Sequence, residues 1–203
     1  MATHSIHLFR HQIGKKESRR FVTAHNVLFV MSGSIVVGRN EVSAGEGVLL
    51  DGNDIHSVEG ADVLAFQVGF TSANGAILSE RFQLSEPEVV LRLDQVSFPP
   101  GACAYRHTHP GPGIRCLIEG TLQIQSDHHT EEMRPMSAWF EDAESPVKAT
   151  AGNVPTSFVR AMVLPQAYFG KPTLNILDPE DAAKPMLQKS RRFVDQVIHL
   201  SSN

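Results

Sequence analysis

The stretch "GACAYRHTHPGPGIRCLIEGTLQI", Gly101 to Ile124, decides how this chain is read. An alternating apolar run ends on two histidines one residue apart. It turns on "PGPG" and returns through an apolar segment to a second turn glycine, Gly120. In an extended strand, residues two apart share a face. Simple alternation therefore puts Cys103, Tyr105, His107 and His109 on one face, and Ala102, Ala104, Arg106 and Thr108 on the other. Two imidazoles about 7 Å apart along a strand can both turn to one cation, at about 2.0–2.1 Å from each nitrogen. The competing reading makes them hydrogen-bonded groups lining a pocket. The shared face favours ligation.

The returning strand adds a charge. If Gly113 faces inward, so do Arg115 and Leu117. A guanidinium buried alone is costly, so an inward Arg115 needs acceptors. It either grips an anionic ligand with its planar donor fork or pairs with Glu119 or Glu141. Pro110 and Pro112 stiffen the connection, and the missing side chain at Gly113 is expected to leave room beside the histidines.

The rest of the chain repeats the pattern. Short runs such as "VLFVMSG", "VLAFQVGF" and "SFVRAMVLP" are broken by Gly, Pro, Asn or Asp, which predicts an all-β sandwich or barrel. Helical periodicity is absent until "DPEDAAKPMLQKS" (Asp178 to Ser190). There Asp178 is placed to cap a short helix with Pro179 at its first position. "VLFVMSGSIVV" (Val27 to Val37) reads like "IRCLIEGTLQI", and aligning Gly33 with Gly120 sets the two 87 residues apart. Two barrels in tandem are expected: residues 1–85, then 86–170, with a tail over 171–203 packing back on them. The tail's end, "RRFVDQVIHL", alternates like a strand.

Composition limits the function. The 203 residues carry a net charge of −4 and are 41% hydrophobic, so a large core is available but a basic face for nucleic acid is not. No apolar run is long enough for a membrane span, and none resembles a signal peptide. Cys103 and Cys116, the two cysteines, fall on opposite faces of neighbouring strands, which argues against a disulfide. A cytoplasmic setting is the expectation.

The motif at Gly101–Gly120 resembles the first conserved motif of the cupins, and "GEGVLLDGNDIHSV" (Gly45 to Val58) resembles the second. The resemblance implies two tandem double-stranded β-helix (cupin, jelly-roll) barrels, a bicupin, with a short C-terminal helix and tail. It implies metal ligands at His107 and His109, and degenerate motifs elsewhere. The cupin carboxylate position falls on Gly113, and the third histidine position on Val147. In the first barrel only His56 matches, with the carboxylate slot at His25 or Asn26, so His56 and His25 are weaker metal candidates. Trp139 in "WFED" stands where cupins often place an aromatic at the barrel mouth. "SDHHTEE" (Ser126 to Glu132) reads as a solvated hairpin tip.

These observations support a small-molecule-binding bicupin with its pocket in the second barrel, lined by Tyr105, Arg115, Cys103 and Trp139. A divalent transition metal, Fe, Mn, Ni or Zn, is the expected cofactor at His107 and His109. Two alternatives stay open. One is a metal-dependent cupin enzyme, a dioxygenase-like oxidoreductase or isomerase. The other is an effector sensor without its own DNA-binding domain. The expected partner is a small molecule, with neither nucleic acid nor membrane, and the resemblance adds homodimerisation through the sheets.

Overall fold

The structure, a computed structural model, describes residues 2–21, 25–50, 54–69 and 73–200. The glycine-punctuated β-branched runs form strands nearly throughout. The first eight are β1 (Ala2–Ile13), β2 (Ser18–Arg20), β3 (His25–Val37), β4 (Asn40–Ser43), β5 (Gly47–Leu49), β6 (Asp54–His56), β7 (Ala61–Val68) and β8 (Leu78–Leu84). Then come β9 (Glu88–Phe98), β10 (Cys103–Thr108), β11 (Gly113–Glu119), β12 (Leu122–Ser126), β13 (Thr130–Met133) and β14 (Ala138–Glu141). The last are β15 (Val147–Ala151), β16 (Thr156–Pro165), β17 (Asn175–Ile176) and β18 (Lys189–His199), with a one-turn helix α1 (Pro179–Ala182) between the final two. Asp178 precedes α1 but gives it no side-chain cap, which suits a helix of one turn only. Among the described residues no helix is long and apolar enough to cross a membrane.

Backbone contacts divide the chain into two compact units. The first is Met1–Val89 with Ile198–Asn203, and the second is Val90–Val197. The C-terminal segment is thus shared: most of it, with β17 and nearly all of β18, belongs to the second unit.

In the first unit the sheet runs β2-β6-β3-β7-β1-β8, with β4 and β5 pairing on β3. Ile13, Phe21, Leu28, Val30, Ile35, Ile55 and Val63 form one buried cluster.

The second unit has two five-stranded sheets, β13-β12-β15-β10-β17 and β14-β11-β16-β9-β18. Its core lies between them: Ala104, Leu122, Ile124, Val147 and Ala149 come from one sheet, and Val96, Phe98, Leu117, Trp139 and Phe158 from the other. Period-2 alternation carries each inner row onward from this core. Along β9 the row continues from Phe98 and Val96 to Asp94 and Arg92, and along β16 from Phe158 to Arg160. One end of the interior is therefore hydrocarbon and the other charged.

Gly33 and Gly120 do equivalent mechanical work. Both have positive φ, 73° and 78°. A Cβ at Gly33 would run into the Gly60 carbonyl, and one at Gly120 into Pro155 and Thr156. Only glycine satisfies the left-handed backbone and the close strand approach together.

Candidate functional site

A β-bulge sets the site. On β10, Ala104 pairs with Ala149 and His107 with Val147, so two residues, Tyr105 and Arg106, face the single Lys148. The extra residue reverses the parity of the strand. Ala102 and Ala104 point inward before it, and His107 and His109 point inward after it. The expectation of one face for Cys103, Tyr105, His107 and His109 is corrected here. Cys103 and Tyr105 lie on the outer face, where Thr150 Oγ1 sits 3.7 Å from Cys103 Sγ and Lys184 Nζ lies 5.1 Å over the Tyr105 ring. They do not line the cavity. Cys103 and Cys116 form no disulfide.

The two histidines meet at their tips. His107 Nδ1 donates to the Tyr105 carbonyl at 2.6 Å, and His109 Nδ1 to the Thr173 carbonyl at 2.9 Å. A carbonyl only accepts, so Nδ1 carries the hydrogen in both rings and each neutral ring keeps its lone pair on Nε2. Those nitrogens stand 3.2 Å apart. Both rings are almost fully buried, and burial is the main reason their pKa values fall below 6.5. Arg160 and Arg115 push His109 further the same way. Two buried lone pairs thus face each other with a proton disfavoured between them. Two nitrogens each about 2.1 Å from a common cation stand about 3.0–3.4 Å apart, so the spacing matches a clamp on one ion.

Gly113 has no carboxylate to offer, but one reaches the pair from the adjacent strand. Glu141 on β14 pairs in register with Gly113, and its Oε2 lies 3.6 Å from His109 Nε2. Gly113 does not open space, as was expected from its missing side chain. A Cβ there would strike the Ala161 carbonyl, so the glycine admits β16 rather than a ligand. Val147, at the expected third histidine position, is a core residue directly opposite His107.

Arg115 is 1% exposed and faces Glu141, with Nη2 and Oε2 2.8 Å apart. Its Nη1 donates to the Gly113 carbonyl at 2.6 Å. The Nη2–Oε2 contact is close but not aligned for a hydrogen bond, and neither atom has another hydrogen-bonding partner. Glu141 Oε1 is satisfied by Trp139 Nε1 at 2.8 Å. Burial lowers the Arg115 pKa to about 10 despite Glu141, with Arg160 adding to the effect. Arg160 lies directly across from Arg115 on β16 and makes two hydrogen bonds to buried Asp94, at 2.6 and 3.1 Å. Like charges opposite one another destabilise a sheet, and here each guanidinium has its own carboxylate.

These groups line a cavity of about 370 Å³ inside the second unit. Val96, Phe98, Ile124, Trp139 and Phe158 wall one part, and His107, His109, Arg115, Glu141, Arg160 and Asp94 another. Trp139 packs edge-on against Phe158, with centroids 5.3 Å apart. The C-terminal segment adds Thr173, Leu174, Met186, Gln188 and Arg192. Arg92 fixes that segment by donating to the Tyr168 and Lys171 carbonyls and to Asp195, each at 2.8 Å.

The remaining sequence candidates lie apart. His56 Nδ1 meets Ser18 Oγ at 3.1 Å, and His25 Nε2 meets the His199 carbonyl at 3.0 Å. They sit on different strands of the first unit with separate partners and form no pair. His128 and His129 occupy the β12–β13 turn, as expected of a hairpin tip. Asp94, Arg160 and Gln188 escaped sequence reasoning. The one available signal was "LRLDQV", a strand whose charges share an alternating row with the apolar Val96.

No family model and no curated protein matches the chain. Solved structures match it in fold. A cupin 2 conserved barrel domain protein from Leptotrichia buccalis is 15% identical with a TM-score of 0.51, over 78% of this chain and 84% of that one. The Bacillus subtilis oxalate decarboxylase, described with Mn(II) centres, is 13% identical with a TM-score of 0.58, over 79% and 68%. The chain has the cupin fold. A salicylate 1,2-dioxygenase from Pseudaminobacter salicylatoxidans is 10% identical with a TM-score of 0.55, over 93% and 75%. At such identities the likeness concerns fold alone, and the cupin fold hosts many chemistries.

Proposed function

We propose that the protein binds a small molecule in the cavity of Val90–Val197, beside a divalent transition metal held by His107 Nε2 and His109 Nε2. The observation that carries this is the pair of lone pairs 3.2 Å apart on the cavity wall. The Tyr105 and Thr173 carbonyls fix tautomer and ring orientation, the usual outer support of a metal-binding histidine. Among the described residues no set of three or more His, Cys, Asp or Glu is arranged to hold an ion alone. The other coordination positions then fall to the ligand and solvent. Imidazole suits several first-row metals, and a bound metal would polarise a ligand oxygen as a Lewis acid. The chain's own residues would do the rest: Arg115 holds Glu141 beside His109, and the aromatic wall excludes water.

The same reading makes the chain a bicupin whose second barrel holds the ligand site. The equivalent roles of Gly33 and Gly120 support this.

Metal content per chain tests the proposal, measured by mass spectrometry on tag-free protein purified without chelator. About one metal per chain is expected, and none in the His107→Ala/His109→Ala variant. No metal in either protein after anaerobic incubation with Fe²⁺, Mn²⁺, Ni²⁺ or Zn²⁺ overturns the metal clamp.

A further inference from the structure

One stretch of chain makes the mouth of the cavity. Of the residues that line it, only Pro172, Met186, Ser190 and Arg192 are exposed, and all four belong to the C-terminal segment. Along β9 the inner row starts at Arg92, tied to that segment, and runs through Asp94 and Val96 to Phe98. A ligand entering at the mouth therefore passes the charged residues first and ends among Val96, Phe98, Ile124 and Phe158. Its leading part is hydrocarbon.

One polar atom along that path is both open and unpaired. Arg160 donates to Asp94 through Nε and Nη2. Its Nη1 has no hydrogen-bonding partner among the described residues, yet it is not sealed inside the protein as Arg115 Nη2 is. The residue is only 8% exposed and lines the cavity, so Nη1 opens on the lumen. A donor left without an acceptor in so buried a site is costly. Phe158 stands two residues away on the same inner row of β16, about 7 Å along the strand, a span that one small molecule covers.

Charge decides what kind of acceptor fits. Asp94 balances Arg160 and Glu141 balances Arg115, so the interior has no spare positive charge. The surplus lies towards the mouth, where Arg92 and Arg192 share Asp195. A carboxylate at Nη1 would stand close to the Asp94 carboxylate in a desolvated site, with no further cation to offset the repulsion. A carbonyl oxygen brings two lone pairs, no charge and no hydrogen of its own.

We propose that the cavity takes a small uncharged ketone with an apolar body, its oxygen accepting from Arg160 Nη1 and its body lying against Phe158. This rests on the cavity being a ligand site and names the class it takes. A cavity of about 370 Å³ lies near the small end of ligand pockets and suits a single ring with a short side chain. Arg160 is the specificity residue.

The test is calorimetric titration of the full chain with two matched sets. One is acetophenone, α-methylstyrene and benzoate. The other is cyclohexyl methyl ketone, isopropenylcyclohexane and cyclohexanecarboxylate. Each alkene keeps the shape of its ketone and lacks the acceptor. In at least one set the ketone should bind roughly tenfold or more tighter than the alkene, as expected for a hydrogen bond from a charged donor. It should exceed the carboxylate by a similar factor. Arg160→Met with Asp94→Leu removes both charges together and should bring ketone and alkene within about twofold of each other, with the alkene still bound. Ketone and alkene binding equally to the wild type in both sets would overturn the proposal and leave an apolar pocket in place, as would carboxylates binding tightest. A ketone preference that survives the double variant would overturn the assignment to Arg160. No binding by any of the six compounds would overturn the proposal and the ligand-pocket reading together.

Discussion

The two compact units handle the same strand–glycine–strand pattern differently. In the first, the strands around Gly33 enclose an apolar cluster that includes Leu28, Val30, Ile35 and Val63. In the second, the strands around Gly120 enclose a cavity whose wall includes three arginines at 8% exposure or less. The turn glycine is common to both, so it belongs to the architecture. What differs is the inner row: β9, β11 and β16 substitute Asp94, Arg115 and Arg160 for apolar residues. A packed apolar interior contributes stability, whereas buried ion pairs contribute little net stability and strongly disfavour loss of one partner. Retaining them makes the second interior the better place to look for chemistry.

This contrast can be broken by mutation, with unit-resolved hydrogen exchange as the readout. The largest effect is expected from Arg160→Met, which leaves Asp94 buried and unpaired, at about 3–5 kcal/mol in the second unit. Adding Asp94→Leu should restore most of it, because both charges then leave together. If the double variant is no more stable than the single, the pair is not acting as argued. Leu28→Ala in the first unit should cost about 2–5 kcal/mol there by cavity formation, with no partner mutation able to rescue it.

A smaller effect concerns pH. His11 is held down to about pKa 4, first by burial and then by Arg19. The folded form therefore takes up a proton less readily than the unfolded chain. The His11 contribution to stability is complete above pH 6.5, is lost as pH falls from 6.5 towards 4, and is flat below. His11→Gln should flatten that part of a melting-temperature profile, and an unchanged slope would count against the assignment. Burial also lowers the pKa values of His107 and His109, so both take up a proton less readily than a free imidazole. Bound metal should therefore persist to lower pH than ligation by exposed histidines would allow, as metal analysis after dialysis would show. The smallest effect is expected at Cys103→Ser. On the outer face it should leave metal and ligand binding unchanged and shift stability within about 0.5 kcal/mol.

Much of the architecture was legible in the chain. Alternation and turn glycines announced the strands, and β18 lies where "RRFVDQVIHL" alternates. The inward parity of Arg115 and Leu117 could be read because β11 is regular from Gly113 through Leu117. The face of β10 could not. A bulge is a single residue without a mate, and the partner strand that reveals it lies more than 40 residues away.

By itself the sequence determined the β periodicity, the glycines at the two strand turns, and a histidine pair at the end of a strand. These are local properties, fixed by side-chain alternation and by backbone conformations that only glycine adopts readily. Tertiary structure alone decided that Cys103 and Tyr105 face away from that pair. It also chose Glu141 as the carboxylate beside it, and brought Asp94, Arg160 and Gln188 to one cavity. Those outcomes depend on register between strands distant in the chain, and no short-range pattern encodes register.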